Sequence, residues 1–186
     1  MRKNLKPKSY LYPLPVLVIA TYDSNGTPNA MNAAWGTIAD TKQVAIFISH
    51  EHKTYKNIML KKAFTVSIAN ESNTIDADYI GIVSGNDKQD KLKNTKWTIT
   101  KSEFIDAPII NELPLTLECK FLSFDEKTEL LLGEVVNVSV DEKILTDDKI
   151  DILKLKPVAY DMINHKYRNI GDIVGNAFKD GLKLKK

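Results

Sequence analysis

The sequence PVLVIATYDSNG at residues 15–26 contains the strongest structural signal in the chain. Its apolar and β-branched residues at 15–22 predict a strand that is too apolar to leave one face in solvent. The strand ends before Asn25-Gly26, the most favourable short hairpin turn, because both residues tolerate positive φ angles. We therefore expect an antiparallel partner strand at residues 28–36.

Alternating apolar residues predict further strands, and short helices lie between and after them. The predicted strands are 44–49, 63–68, 115–124 and 130–140, and the predicted helices are 54–62, with Thr54 as N-cap, 76–83 and 172–178. We expect Phe47, Phe64 and Phe121 in the core. Hairpin-linked strands with few helices indicate a mainly β (α+β) fold, an antiparallel barrel with short peripheral helices that forms one domain over residues 1–186.

Composition argues against several classes of protein. The net charge is only +2, which is a weak field for a nucleic-acid-binding protein. Neither a membrane-spanning apolar run nor the apolar stretch of a secretory signal is present, so we expect a soluble, cytoplasmic protein that binds no membrane. The single cysteine, Cys119, excludes an internal disulfide, and its alternation with Leu117 and Phe121 places it in the core.

The predicted partner strand has an unusual composition. It combines small residues, two asparagines and one large aromatic residue, where a core strand would contain Val and Ile. Small side chains let a flat ligand approach the backbone, whose N–H and C=O groups can then bond to the polar edge of the ligand. The alternative is a strand that another strand crosses closely, with the aromatic residue in the core. The candidate binding residues are Asn29, Ala30, Met31, Asn32, Ala33, Ala34 and Trp35.

A polar, partly basic turn at residues 49–54 joins a predicted strand to a predicted helix. Backbone N–H groups at a helix N-terminus, together with hydroxyl groups and a cation, suit a phosphate. The alternative is that Thr54 only caps the helix and the charged side chains are solvated. The candidate phosphate ligands are Ser49, His52, Lys53 and Thr54.

Other common sites lack their motifs. His50 and His52 have no third ligand nearby, and His165 is far along the chain, so we expect no metal site. The sequence has no Gly-x-Ser-x-Gly nucleophile motif and no Gly-x-Gly-x-x-Gly after a strand. We therefore assign no catalytic residue.

Several segments, in order, resemble flavoredoxin and its flavin-reductase-like relatives. They are residues 12–16, 21–36, 52–58, 63–66, 77–85, 106–108, 115–120, 132–135 and 167–178. The resemblance implies an FMN-binding split β-barrel that forms a homodimer, with the flavin sites near the subunit interface. It also implies that residues 29–35 lie along the isoalloxazine ring, with Met31 and Trp35 shaping the pocket, and that Ser49, His52, Lys53 and Thr54 hold the FMN phosphate.

The same resemblance implies that Ser84 and Gly85 approach the flavin and that Tyr167 closes the site. NAD(P)H-dependent relatives often contain a Gly-Asp-His-like motif late in the chain, whereas this sequence has Gly133-Glu134 at the comparable strand. Two flavin functions therefore stay open, an NAD(P)H-dependent flavin reductase and an electron carrier that a redox partner protein reduces. A non-enzymatic barrel that binds a small ligand or nucleic acid is the alternative from another class.

Overall fold

The computed structural model describes residues 1–185 as a set of short strands and helices. The strands are β1 (Leu14–Pro15), β2 (Leu17–Tyr22), β3 (Pro28–Ala33), β4 (Gly36–Asp40), β5 (Gln43–Phe47), β6 (Ala63–Ile68), β7 (Ile99–Lys101), β8 (Pro108–Ile110), β9 (Leu115–Asp125), β10 (Leu130–Val140), β11 (Leu145–Thr146), β12 (Lys149–Ile150), β13 (Val158–Asp161) and β14 (Lys166–Asn169). The α-helices are α1 (Lys53–Lys61), α2 (Thr74–Ile82) and α3 (Ile152–Leu155). Short 3₁₀ turns lie at Glu71–Asn73, Lys91–Asn94, Glu142–Ile144 and Asp180–Leu184.

The main sheet has seven antiparallel strands in the order β3-β2-β6-β9-β10-β5-β4. Its two edge strands, β3 and β4, are separated along the chain only by Ala34 and Trp35. In a flat sheet of this size the edges would lie about 29 Å apart, but a link of this length spans at most about 11 Å. The sheet must therefore curl until its edges approach each other. The predicted antiparallel barrel with short peripheral helices is confirmed.

Strand β2 is buried on both faces, as its composition predicts. Leu17 and Ile19 pack inside the barrel with Phe64 and Cys119. Val18 on the other face belongs to a second cluster, which the sheet forms with residues of α2 and of the loops that follow it. Burial raises the pKa of the Cys119 thiol to about 12, which agrees with a core residue rather than a nucleophile.

Three local predictions are wrong. The strand predicted at 28–36 ends at Ala33, because the chain must turn across the open seam before β4 begins. His52, not Thr54, is the N-cap of α1; the Thr54 side chain is buried instead and accepts a hydrogen bond from Asn29. Phe47 is 45% exposed, because it faces the open side of the half-barrel.

The helix predicted at 172–178 does not form. Residues 171–176 have no regular structure, and the only helical turn in this part of the described chain is Asp180–Leu184. Phe178 is 99% exposed and has a φ of 61°, so the segment has no core contact that would stabilise a helix. No helix among residues 1–185 is long and apolar enough to span a membrane.

Candidate functional site

A cavity of about 560 Å³ lies where α1 and α2 face strand β3, and we call it the α1–α2 cavity. Its volume is in the range of small-molecule sites. The lining comes from β3, from the turn before α1, from the end of α2 with the loop after it, and from one lysine. These residues are Asn29, Met31, Asn32, Ser49, Glu51, His52, Lys53, Thr54, Ile80, Gly81, Ile82, Val83, Ser84, Gly85, Asn86 and Lys91.

Strand β3 contributes backbone groups as well as side chains. It is an edge strand that pairs only with β2 in the main sheet, so its outer edge retains N–H and C=O groups without strand partners. Alternating donors and acceptors of this kind can bond to the polar edge of a flat heterocycle. The part of the unusual sequence that lies in β3, residues 29–33, is therefore located at an open edge and not at a strand crossing.

The N-terminus of α1 has neither a side-chain cap nor an acidic residue, which favours an anion there. The N-cap His52 makes no side-chain capping bond and the first turn contains no acidic residue, whereas Asp151 accepts a hydrogen bond from Leu153 N at the start of α3. The first N–H groups of α1 therefore remain available, and the helix dipole favours a negative charge there. Lys53 adds a cation next to them, so a phosphate would meet several donors at once.

The floor of the cavity contains a buried polar atom without a partner. Asn29 is 3% exposed; its Nδ2 donates to Thr54 Oγ1 at 2.8 Å, and its Oδ1 has no hydrogen-bond partner. Because Thr54 accepts this bond, its own hydroxyl hydrogen stays free to donate to a ligand. Gly85 lies against the same asparagine, since a Cβ added there would be 2.2 Å from Asn29 Oδ1. A side chain at Gly85 would fill this part of the cavity.

Lys91 is a wall residue that the sequence analysis missed. It is 2% exposed, and its Nζ donates to the carbonyl oxygens of Ile80 at 2.7 Å and Val83 at 2.6 Å. Its ammonium therefore caps the C-terminus of α2, where a cation is favoured, and burial lowers its pKa to about 8. The polar sequence around it, with Asp90 and Lys93, is typical of a surface turn and gives no sign of this burial.

The turn before α1 is held by hydrogen bonds to two other segments of the chain. His50 Nδ1 bonds to Glu129 Oε1 at 3.1 Å, and Asn86 Nδ2 donates to the carbonyl oxygen of Glu51 at 3.0 Å. The second bond joins the turn before α1 to the loop after α2 across one end of the cavity. Among residues 1–185 no group of three or more His, Cys, Asp or Glu side chains is arranged to hold a metal ion.

The structure brings together most, but not all, of the residues expected to bind a cofactor. Those that line the α1–α2 cavity are Asn29, Met31, Asn32, Ser49, His52, Lys53, Thr54, Ser84 and Gly85. Ala30 is fully buried in the core, Ala33 packs inside the barrel, and Tyr167 lies behind the cavity against Asp78. Ala34 and Trp35 line a different surface, at the open side of the half-barrel.

That surface is an apolar groove of about 780 Å³ between β4, β5 and the N-terminal segment. It exposes four large apolar side chains, namely Leu11, Trp35, Ile38 and Phe47. Clusters of exposed large apolar side chains such as this one are typical of interaction surfaces. Trp35 thus faces this groove and does not contribute to the α1–α2 cavity of its own chain.

A curled antiparallel sheet with a few short peripheral helices is the architecture of the flavin reductase-like split barrels. The sequence profile described as "Flavin reductase like domain" matches residues 9–171. The chain belongs to this flavin reductase-like family, which confirms the resemblance found in the sequence. A comparison with curated protein sequences finds no match.

Solved structures agree with the family. Flavoredoxin of Desulfovibrio vulgaris (Miyazaki F) is 35% identical, with a TM-score of 0.92 over 97% of this chain and 100% of that chain. Flavoredoxin from Methanosarcina acetivorans is 27% identical, with a TM-score of 0.89 over 98% of this chain and 100% of that chain. Nitrilotriacetate monooxygenase component B from Bacillus cereus shares the fold at 21% identity, with a TM-score of 0.76 over 90% of this chain and 89% of that chain.

Proposed function

We propose that the protein binds FMN in the α1–α2 cavity and acts in electron transfer through the bound flavin. The observation that supports this most directly is the N-terminus of α1, which lacks both a capping side chain and an acidic residue and has Lys53 beside it. In a helix without a ligand these positions usually contain a capping or acidic residue. The arrangement fits a phosphate bound by Ser49, Lys53, Thr54 and the helix N–H groups.

The remaining part of the cavity fits the ring system. The free edge of β3 and the amide of Asn32 offer donors and acceptors to a polar ring edge, and Gly81 adds no side chain beside Asn32. A bound flavin supplies hydride and single-electron chemistry through its ring. The protein then needs to bind and orient the ring and exclude water from it, and no general acid or base is required of the chain.

The charges at the phosphate end favour FMN over FAD. Lys53 and the N-terminus of α1 balance one phosphomonoester, while the neighbouring Glu51 would repel a second phosphate. The Asn86–Glu51 hydrogen bond also joins the two loops at this part of the cavity. Both features support a mononucleotide.

We favour an electron carrier that a redox partner protein reduces, with an NAD(P)H-dependent flavin reductase as the second candidate. The higher identity to a flavoredoxin supports the carrier. Gly133 has a structural explanation, since a Cβ there would lie 2.4 Å from the ring of Phe64 inside the barrel. Packing thus accounts for the glycine without a Gly-Asp-His-like motif, and Gly133-Glu134 gives no support to a nicotinamide site.

The apolar groove supports the proposal that two copies of the chain form a homodimer. Its exposed side chains, Leu11, Trp35, Ile38 and Phe47, would be removed from water by a second copy. Burial of apolar area is the main favourable term in association. In such a dimer Trp35 would lie at the subunit interface.

The spectrum of the purified protein tests the function. We expect flavin absorption bands after reconstitution with FMN, and we expect dithionite, but not NADH or NADPH, to bleach them rapidly under anaerobic conditions. Rapid bleaching by either nucleotide would replace the carrier with an NAD(P)H-dependent reductase. Failure to bind any flavin would contradict the proposed function as a whole and favour a barrel that binds another ligand.

A further inference from the structure

Glu129, at the end of the loop between β9 and β10, contacts the end of β5 and the turn before α1. Its carbonyl oxygen accepts a hydrogen bond from Ile48 N at 3.0 Å. Its side-chain Oε1 accepts a hydrogen bond from His50 N at 3.3 Å and bonds to His50 Nδ1 at 3.1 Å. This one residue therefore holds the chain on both sides of Ser49, the first of the candidate phosphate ligands.

The backbone of Glu129 is in a conformation that favours glycine. Its φ is 56°, a left-handed value that strains a residue with a Cβ and that glycine adopts freely. Glycine is the usual residue at such a position in a hairpin loop. The glutamate side chain is therefore present at a cost in backbone strain, and a strained residue with specific side-chain contacts points to a function for those contacts.

The contacts of Glu129 fix the orientation of His50 and do not reach the cavity directly. A carboxylate only accepts hydrogen bonds, so His50 Nδ1 must carry a hydrogen. The His50 side chain is 64% exposed, and a surface pair of this kind contributes little to stability. Neither residue belongs to the lining of the α1–α2 cavity. Any effect of the pair on a ligand must therefore pass through the turn.

The turn before α1 is organised around Ser49. The Ser49 carbonyl oxygen accepts a hydrogen bond from His52 N at 3.1 Å, and its Oγ accepts one from Glu51 N at 3.4 Å. The Ser49 hydroxyl hydrogen therefore stays free to donate to a ligand. Ser49, His52 and Lys53 all line the cavity. A shift of Ser49 would thus move both its hydroxyl and the N-cap of α1 away from a bound anion.

We propose that Glu129 is a positioning residue that holds residues 48–50, so that the Ser49 hydroxyl and the first N–H groups of α1 converge on the phosphate of FMN. This inference rests on the proposed function. The hydrogen bonds of Glu129 go to the phosphate end of the cavity. Riboflavin, which has the same ring and no phosphate, should therefore bind independently of Glu129.

Three variants separate this positioning from the charge of the carboxylate, which by itself would repel a phosphate. Glu129→Gly removes the side chain and relieves the backbone strain. Glu129→Gln removes the charge but keeps an oxygen that can accept both bonds from His50. Glu126→Gly is the matched control, because it removes the same side chain from an exposed position of the same loop.

The test compares the affinities of the apo-proteins for FMN and for riboflavin by fluorescence titration. Wild-type protein should prefer FMN, and Glu126→Gly and Glu129→Gln should retain at least this preference. Glu129→Gly should lose about three- to tenfold of it, the scale of one neutral hydrogen bond, with unchanged affinity for riboflavin. In thermal unfolding Glu129→Gly should be at least as stable as Glu126→Gly, because glycine suits the positive φ of residue 129.

Three results would overturn the positioning role while the proposed function stands. They are the full wild-type preference in Glu129→Gly, an equal loss of affinity for both flavins in that variant, and tighter FMN binding by both Glu129 variants. Equal binding of both flavins by the wild-type protein would contradict the phosphate site and the positioning role alike. If the wild-type protein binds neither flavin, the proposed function itself fails.

A second variant keeps the test decisive if Glu129→Gly does not fold. Asparagine also tolerates a positive φ, and its side chain is one methylene shorter than that of glutamate. Glu129→Asn should therefore fail to reach His50 and should show the same loss of preference for FMN over riboflavin. Retention of the wild-type preference in this variant would overturn the positioning role.

Discussion

Gly85 shows how a single residue can shape one end of a cavity. Its missing side chain leaves room beside Asn29, the buried asparagine that also bonds to Thr54. In Gly85→Ala the new methyl group would lie 2.2 Å from Asn29 Oδ1 and 3.2 Å from Lys53 Cβ, so the loop or the asparagine must move. Either movement disturbs the phosphate end of the cavity.

We expect Gly85→Ala to weaken FMN binding at least about tenfold and to lower the free energy of unfolding by about 1–3 kcal/mol, the usual cost of overpacking. Titration of the apo-protein with FMN and urea denaturation measure the two effects. Gly171→Ala is the control, because a Cβ there meets nothing within 4 Å. Equal FMN affinity in both variants would show that this loop does not shape the site.

At the scale of secondary-structure elements, the C-terminus of α2 depends on Lys91, a residue whose role the sequence did not indicate. The ammonium of Lys91 caps the last carbonyl groups of the helix from a buried position. Burial lowers its pKa to about 8 from an ordinary value of 10.5. Between these two pH values the Lys91 side chain is protonated in the unfolded chain but not in the native protein. The contribution of Lys91 to the free energy of unfolding therefore rises as the pH increases through this window and declines as the pH falls.

We therefore expect the free energy of unfolding of the wild-type protein to rise between pH 8 and pH 10 relative to that of Lys91→Met, which lacks the titrating group. Urea denaturation of both proteins at several pH values in this window measures the difference. Lys93→Met, at an exposed position of the same 3₁₀ turn, should keep the wild-type pH dependence. Parallel curves for wild type and Lys91→Met would contradict the burial of the ammonium.

The sequence predicted those elements whose pattern is local. The strand at residues 63–68 and the one at 130–140 have the predicted bounds, because alternation and β-branched residues specify them directly. The end of β3 at Ala33 was missed, since it depends on the closure of the sheet and not on the residues at 34–36. The helix at 172–178 was wrong because periodicity alone does not stabilise a segment without a packing surface.

At the scale of the whole molecule, the candidate site also combines residues that a local sequence pattern predicted with residues that only the fold brings together. The phosphate ligands at 49–54 are contiguous, and their pattern was visible in the sequence. Lys91 comes from a distant segment that only the folded chain brings to the cavity, and the Asp78–Tyr167 contact likewise joins segments that are far apart in the sequence. Phe47 was assigned to the core from the alternation of its strand, and Trp35 to the flavin pocket from the resemblance, but the open side of the half-barrel leaves both exposed.

This exposure leads to a prediction about assembly. If the apolar groove is the interface of a homodimer, wild-type protein should elute with twice the chain mass of 21.0 kDa in size-exclusion chromatography with light scattering. Ile38→Lys, which places a charge at a 66% exposed position of the groove, should give the monomer. Ile75→Lys, at an 83% exposed position of α2 outside the groove, should remain dimeric. A monomeric wild-type protein would contradict this use of the groove.

The central claim is that FMN binds in the α1–α2 cavity with its phosphate at the N-terminus of α1. It is tested most directly by titrating wild-type, Lys53→Ala and Lys56→Ala apo-proteins with FMN, because Lys53 lines the cavity and Lys56 is an exposed residue of the same helix. We predict one FMN per chain, an affinity weakened by about 1–3 kcal/mol in Lys53→Ala, the scale of a lost charge-assisted hydrogen bond, and wild-type affinity in Lys56→Ala. Equal affinity for wild type and Lys53→Ala, or no binding by the wild-type protein, would contradict the claim.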